Sequence, residues 1–131
     1  MKRISGFTLI ELLVVLAVIA LLVTIVSPRY FHSIDRARET SLRTSLKVMR
    51  DAIDKFAGDQ GRYPRSLDEL VQRRYVRELP VDPVTGRMDS WIAIPAPADA
   101  VVAEAVVSDG VADVRSGAPG TDLRGLAYQE Y

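Results

Sequence analysis

Residues 6–28 read GFTLIELLVVLAVIALLVTIVSP. From Leu12 to Pro28 seventeen residues carry no charge, and from Phe7 to Pro28 twenty-two residues carry only one, on Glu11. As a helix, twenty-two residues extend about 33 Å, close to the ~30 Å hydrocarbon core of a bilayer. The length of the run, rather than its Leu, Val and Ile content, favours helix over strand. The carboxylate is what needs explaining. An acidic residue in a membrane span costs about 3 kcal/mol or more and marks a functional position by default.

Three accounts of the run compete. A cleaved secretory signal fits Lys2 and Arg3 in front of it, but the apolar part exceeds the usual ~7–15 residues and Ser27-Pro28-Arg29 is a poor small-residue cleavage site. A plain single-span anchor leaves Glu11 unexplained. The third account makes the carboxylate a contact. Gly6-Phe7-Thr8-Leu9-Ile10-Glu11, after a short basic leader and before an unbroken apolar run, resembles the class III signal of type IV pilins and type II secretion pseudopilins. The resemblance implies a leader of residues 1–6, cut after Gly6 by a membrane prepilin peptidase, and N-methylation of the new first residue, Phe7. It implies that Glu11 pairs with the N-terminal amine of a neighbouring subunit and sets assembly register. Pro28 also matches the family's pattern.

The physical logic agrees with this third account. An amine at Phe7 and a carboxylate at Glu11 are both expensive in lipid, and pairing between helices offsets part of that cost. The charge then favours the assembled state, as a lone polar residue sets register in a coiled coil. Local pairing of Glu11 with its own N-terminus stays open, because positions i and i+4 share a helix face. Lys2 and Arg3 precede the run, but Arg29, Arg36, Arg38 and Arg43 follow it. Positive-inside counting therefore gives no clear support, and the orientation rests on the leader resemblance.

The chain of 131 residues is long enough for one domain, and much of its 48% hydrophobic content sits in the opening run. A compact, lightly built soluble part is left. With no cysteine, a disulfide framework and a thiolate zinc site are excluded. The net charge is zero but uneven: Arg29 to Arg77 carries +5 and Glu78 to Tyr131 carries −6. Scattered charges are usually solvated surface; the sharper reading is head-to-tail complementarity between copies of the chain. Nucleic acid is a poor partner, because no dense basic run with interleaved aromatics occurs and the acidic half repels phosphate.

Beyond the run, Pro28 should bend or loosen the helix by removing a backbone donor. Leu42, Leu46, Met49, Ile53 and Phe56 are spaced four, three, four, three, which predicts a one-faced stripe packed against a sheet. Gly58 and Gly61 bracket a helix end near residue 59. Ser66 and Glu69 read as a capping box opening a short helix over 66–74, with Leu67, Leu70 and Val71 as its apolar contacts. Residues 79–86 are turn-rich, and Pro80 and Pro83 exclude a central strand there. Strands are expected at Trp91–Ile94, Val101–Val107 and Val111–Val114, the last two joined as a hairpin through Ser108-Asp109-Gly110. The fold class is α+β: a long N-terminal helix, transmembrane in its first half, with a small antiparallel sheet on its second half, as in pilins. The expected division is 1–6 leader, 7–28 transmembrane and assembly helix, and 29–131 periplasmic head including the second half of the long helix.

No residues assemble into an enzyme site. His32 stands alone just past the span, Asp51 and Asp54 lie on a solvated face, and no Gly-rich phosphate loop occurs. The short second helix, the turn around Pro80 and Pro83, and the tail from Asp113 to Asp122 are similar to the major, G-type pseudopilin. That similarity implies calcium in the tail loop, where Asp113, Ser116, Asp122 and main-chain carbonyls supply oxygen. The family's acidic residue before the loop glycine corresponds to Pro119, and calcium prefers six to eight oxygens, several of them carboxylate. The expected cofactor set is therefore none, with calcium in this loop as the alternative left open. The absence of a cysteine pair favours a pseudopilin over a pilin. The resemblance implies a single-pass inner-membrane subunit of a helical pseudopilus. Its partners would be itself, minor pseudopilins, an assembly platform, a cytoplasmic ATPase and the lipid bilayer. The near alternative is a type IV pilin of a surface fibre; the distant one is a membrane-anchored periplasmic binding domain.

Overall fold

The computed structural model describes residues 6–102, 105–106 and 109–131, apart from the side chains of Pro28 and of residues 105–106. Helix α1 runs Leu9–Gln60 and is followed by a short helix, α2, at Leu67–Gln72. Four strands come next: β1 (Trp91–Pro95), β2 (Val101–Val102), β3 (Ala105–Val106) and β4 (Val111–Ser116). A single 3₁₀ turn, Tyr128–Glu130, comes near the end. Two compact units divide the chain at Asp35 and Arg36. The expected leader lies outside the described residues except for Gly6. α1 stays helical through Pro28, the expected bend.

In the first unit the large apolar residues of α1, from Leu9 to Val26, are all exposed. The second unit holds the core. The predicted stripe is buried throughout: Leu42, Leu46, Met49, Ile53 and Phe56 are at most 1% exposed. Ala52 of α1, Leu67 and Leu70 of α2, Trp91 of β1, and Val111 and Val114 of β4 complete the cluster. α1 stops at Gly61, whose positive φ of 66° is cheap for glycine, and whose N–H closes on the Ala57 carbonyl at 2.9 Å.

The strand pairing corrects one expectation. β4 pairs antiparallel with β1, Trp91 opposite Ser116 and Ala93 opposite Val114, and not with the described residues of the 101–107 segment; Ser108 of the expected turn lies outside the described residues. β2 and β3 instead pair with each other, Val101 opposite Val106 and Val102 opposite Ala105. Chain adjacency suggested the hairpin, but burial decided the pairing. Trp91, Val111 and Val114 all belong to the core cluster, and laying β1 beside β4 buries them together. The start of β4 is fixed from outside the sheet, where the Val111 N–H donates to the Pro64 carbonyl at 2.7 Å. Gly110 makes that approach possible: it has φ 104°, and a Cβ there would meet the Tyr63 Cβ at 2.7 Å. Pro95 closes β1 at a register shift, where its missing N–H costs no ladder bond.

The cap of α2 corrects a second expectation. Ser66 sits at the N-cap with extended backbone, but its hydroxyl makes no capping bond. The Glu69 carboxylate instead accepts from the Arg62 guanidinium at 2.6 Å and from the Arg65 N–H at 2.7 Å. The Arg62 guanidinium and the Arg65 N–H, one residue before the N-cap, together hold the carboxylate in place of the Ser66 N–H.

Candidate assembly site

Gly6, Phe7 and Thr8 precede the first turn of α1 in irregular, exposed backbone, and Phe7 is 83% exposed. The helix start is built by Thr8 and Glu11. The Glu11 N–H donates to the Thr8 hydroxyl at 3.2 Å, and the Thr8 N–H reaches the Glu11 carboxylate at 3.4 Å. This is a capping box, with the acidic residue also facing the positive end of the helix dipole. The T-x-x-E spacing that this box requires is present at Thr8-Leu9-Ile10-Glu11.

After this cap, α1 is long and apolar enough to cross a membrane, and none of its most apolar window is buried. Exposed apolar surface well beyond about 400 Å² marks a site for protein or membrane contact. One polar side chain inside the run is satisfied locally: the Thr24 hydroxyl donates to the Ala20 carbonyl at 2.8 Å. Glu11 is the charge left within the apolar helix. Tyr30 and Phe31, edge to face at 6.0 Å, follow the apolar run; an amphipathic ring such as that of Tyr30 is common where a helix meets the membrane surface.

The soluble unit has its own polar framework, which the sequence did not announce. Asp82 is fully buried. It accepts the Ser116 hydroxyl at 2.6 Å and the Val84 N–H at 2.8 Å, so the 79–86 turn is tied to β4. The Trp91 indole N–H donates to the Pro80 carbonyl at 2.8 Å. Arg50 of α1 reaches Asp113 at 2.7 Å, the Val114 carbonyl at 3.0 Å and the main-chain oxygen of Tyr131 at 2.8 Å. His32, Asp51 and Asp54 are exposed, and Asp51 pairs with Lys47 one turn away. Among the described residues no group of three or more His, Asp or Glu side chains could hold a metal.

Two carboxyls of this unit titrate well below their ordinary range. Glu69 is lowered to about 2, first by the Arg62 hydrogen bond and then by the Arg65 N–H. Asp122 is also lowered to about 2, first by the Tyr131 hydroxyl. A depressed folded-state pKa means that the folded form binds fewer protons, so stability is present above the unfolded value and is lost as pH falls through the folded one. The soluble unit should therefore weaken from about pH 4.5 down to about 2. Glu69→Gln should be less stable at neutral pH and show a shallower loss across that window. Trp91 fluorescence against denaturant at several pH values measures both, and an unchanged slope would rule out Glu69 as a source.

Residues 1–27 match the prokaryotic N-terminal methylation motif. The type II secretion system core protein G of Pseudomonas aeruginosa is 32% identical over 95 residues, covering 60% of this chain and 67% of that protein. The core protein G of Aeromonas hydrophila is 29% identical over 98 residues, covering 63% of this chain and 68% of that protein. The type IV major pilin protein PilA of Myxococcus xanthus is 34% identical over 68 residues, covering 52% of this chain but 31% of the pilin. No solved structure matches significantly. With its methylation motif, its exposed apolar helix and a likeness that reaches into the soluble unit, the chain belongs to the pilin-like family of type II secretion core protein G.

Proposed function

We propose that this chain is the structural subunit of a type II secretion pseudopilus and not a catalyst. The chain is cut after Gly6, methylated on Phe7 and held in the inner membrane by Phe7 to about Val26, with its head in the periplasm. It then polymerises through the same helix, and the growing filament, driven by a cytoplasmic ATPase on a membrane platform, helps export folded proteins. One observation carries this reading: an apolar helical run whose large side chains are exposed from Leu9 to Val26, with a single carboxylate in it, Glu11, close to its start. Capping the helix start gives that carboxylate a local role, but a helix that must leave lipid and pack on copies of itself has the further use for it that offsets the cost of a charge in the span.

The second reading, a pilin of a surface fibre, draws on the match to PilA. That match covers a smaller share of its partner than those to core protein G, which span 95 residues or more in the first two relatives. The secretion reading is therefore the stronger.

Intact mass and the N-terminal peptide of the protein from its host's membranes test the pathway. A mature chain beginning at methylated Phe7 is expected. A chain beginning at Met1, or near Arg29, would overturn the assignment and favour a membrane-anchored periplasmic domain.

A further inference from the structure

The family resemblance puts calcium in the loop after β4, with Asp113, Ser116 and Asp122 as donors. In the structure each of these side chains is engaged elsewhere, Asp113 through its Oδ1. Asp113 faces Arg50 at 2.7 Å. The Ser116 hydroxyl donates to Asp82 and accepts the Ala118 N–H at 3.0 Å. Asp122 has a fully enclosed side chain with both oxygens occupied. Its Oδ1 accepts the N–H groups of Arg124 and Leu126 at 2.8 and 2.9 Å, and its Oδ2 accepts the Tyr131 hydroxyl. The guanidinium groups of Arg124 and Arg43 stand 3.4 and 3.9 Å from Oδ2. Calcium needs six to eight oxygens at about 2.3–2.6 Å. Here one loop carboxylate is enclosed, its charge is met by arginines, and the position of the family's further acid holds Pro119. The donor set does not fit the ion.

The positive charge that a metal would bring comes from α1. Arg43 and Arg50 are seven residues apart, two turns along one helix face. Arg43 donates to the Tyr131 hydroxyl at 3.1 Å and lies 4.8 Å over its ring. Arg50 holds Asp113 and the main chain at Val114 and Tyr131. One turn before Arg43, Glu39 takes the Leu123 N–H at 2.7 Å. A single face of α1 thus grips the loop at both of its ends and in its middle.

We propose that an arginine–tyrosine clamp from α1 closes the C-terminal loop of this chain in place of a metal ion, so that the head folds without calcium. Tyr131 is the keystone, because it joins Arg43, Arg50 and Asp122 in one network. The inference concerns the head alone and stands whether the filament serves secretion or a surface fibre.

The test uses the full chain in detergent micelles, with Trp91 fluorescence reporting thermal unfolding in EDTA and in millimolar CaCl2, and calorimetry reporting calcium binding directly. The wild type should melt at the same temperature in both buffers and show no heat of binding. Tyr131→Phe and Arg50→Gln should each melt roughly 5–10 °C lower, without rescue by calcium. Trypsin should cut the variants faster after the exposed Arg124. A wild-type midpoint raised by several degrees in calcium, or stoichiometric binding, would overturn the metal-free claim. Variants that melt with the wild type would overturn the clamp.

Discussion

Glu11→Ala should yield a chain that is still cut after Gly6 and still resides in the membrane, but that builds no filaments. Cutting after Gly6 would create an amine on Phe7, four residues from Glu11. When helices pack, that amine becomes buried, and deleting one partner of a buried pair costs about 3–5 kcal/mol because the other charge is left uncompensated. At about 1.4 kcal/mol per tenfold, a loss of 3 kcal/mol at each added subunit raises the concentration needed for assembly by roughly two orders of magnitude. The cap supplies a competing explanation with a smaller effect. Glu11→Ala removes only the 3.4 Å bond from the Thr8 N–H and keeps the shorter bond to the Thr8 hydroxyl, a loss of about 1 kcal/mol or less. Thr8→Ala separates the two, since it removes the hydroxyl and leaves the carboxylate. Electron microscopy of filaments, with a blot for processed subunit, should show filaments for Thr8→Ala and none for Glu11→Ala. Normal filaments from Glu11→Ala would end the assembly role. Equal loss in both variants would reduce Glu11 to a capping residue.

The parts legible in the sequence are those governed by local periodicity. The stripe from Leu42 to Phe56 is buried residue for residue as its four–three spacing implied, because one apolar face of a helix can satisfy itself only against a core. The helix end near Gly61 and the short second helix were readable for the same reason: their signals lie within a few residues of their effects. Strand pairing is not local. Val101 to Val107 had the composition of a strand, but the choice of partner for Val111 to Ser116 depended on Pro64, Tyr63 and Gly110 meeting from distant parts of the chain.

The same distinction holds at the candidate site. Gly6, Phe7 and Glu11 stood out because their order is a motif, and order is what a sequence displays. Asp82, Arg50 and Tyr131 did not, since each takes its role from a partner thirty or more residues away. The two capping boxes make the point twice. Thr8 and Glu11 have the spacing and form the box; Ser66 and Glu69 have it and do not, because Arg62 and the Arg65 N–H hold the Glu69 carboxylate. Spacing permits a local bond, and whether it forms depends on competitors that only the fold brings near.

Phe56→Ala should unfold the soluble unit at temperatures where the wild type is intact, while leaving the apolar half of α1 helical. Phe56 is fully buried and sits at the junction of α1 and the segment that follows it. The Tyr75 ring packs on it with centroids 5.1 Å apart, and the Arg62 guanidinium lies 5.0 Å over its face. Truncation removes the transfer energy of the ring and leaves a cavity that α1 cannot collapse into, a loss of about 3–5 kcal/mol. Domains of this size have about 5–15 kcal/mol in all, so a large share of the stability goes. At about 4–8 °C per kcal/mol, the midpoint should fall by roughly 12 °C or more. Far-UV circular dichroism will underreport the change, because much of the helical signal comes from residues outside this unit. The single tryptophan, Trp91, belongs to the same core and is the better reporter. Phe56→Leu keeps most of the volume and should lose less than half as much, which separates packing from the loss of the ring contacts. If Phe56→Ala melts within about 4 °C of the wild type, which is less than 1 kcal/mol, then the stripe on α1 is not the centre of the core.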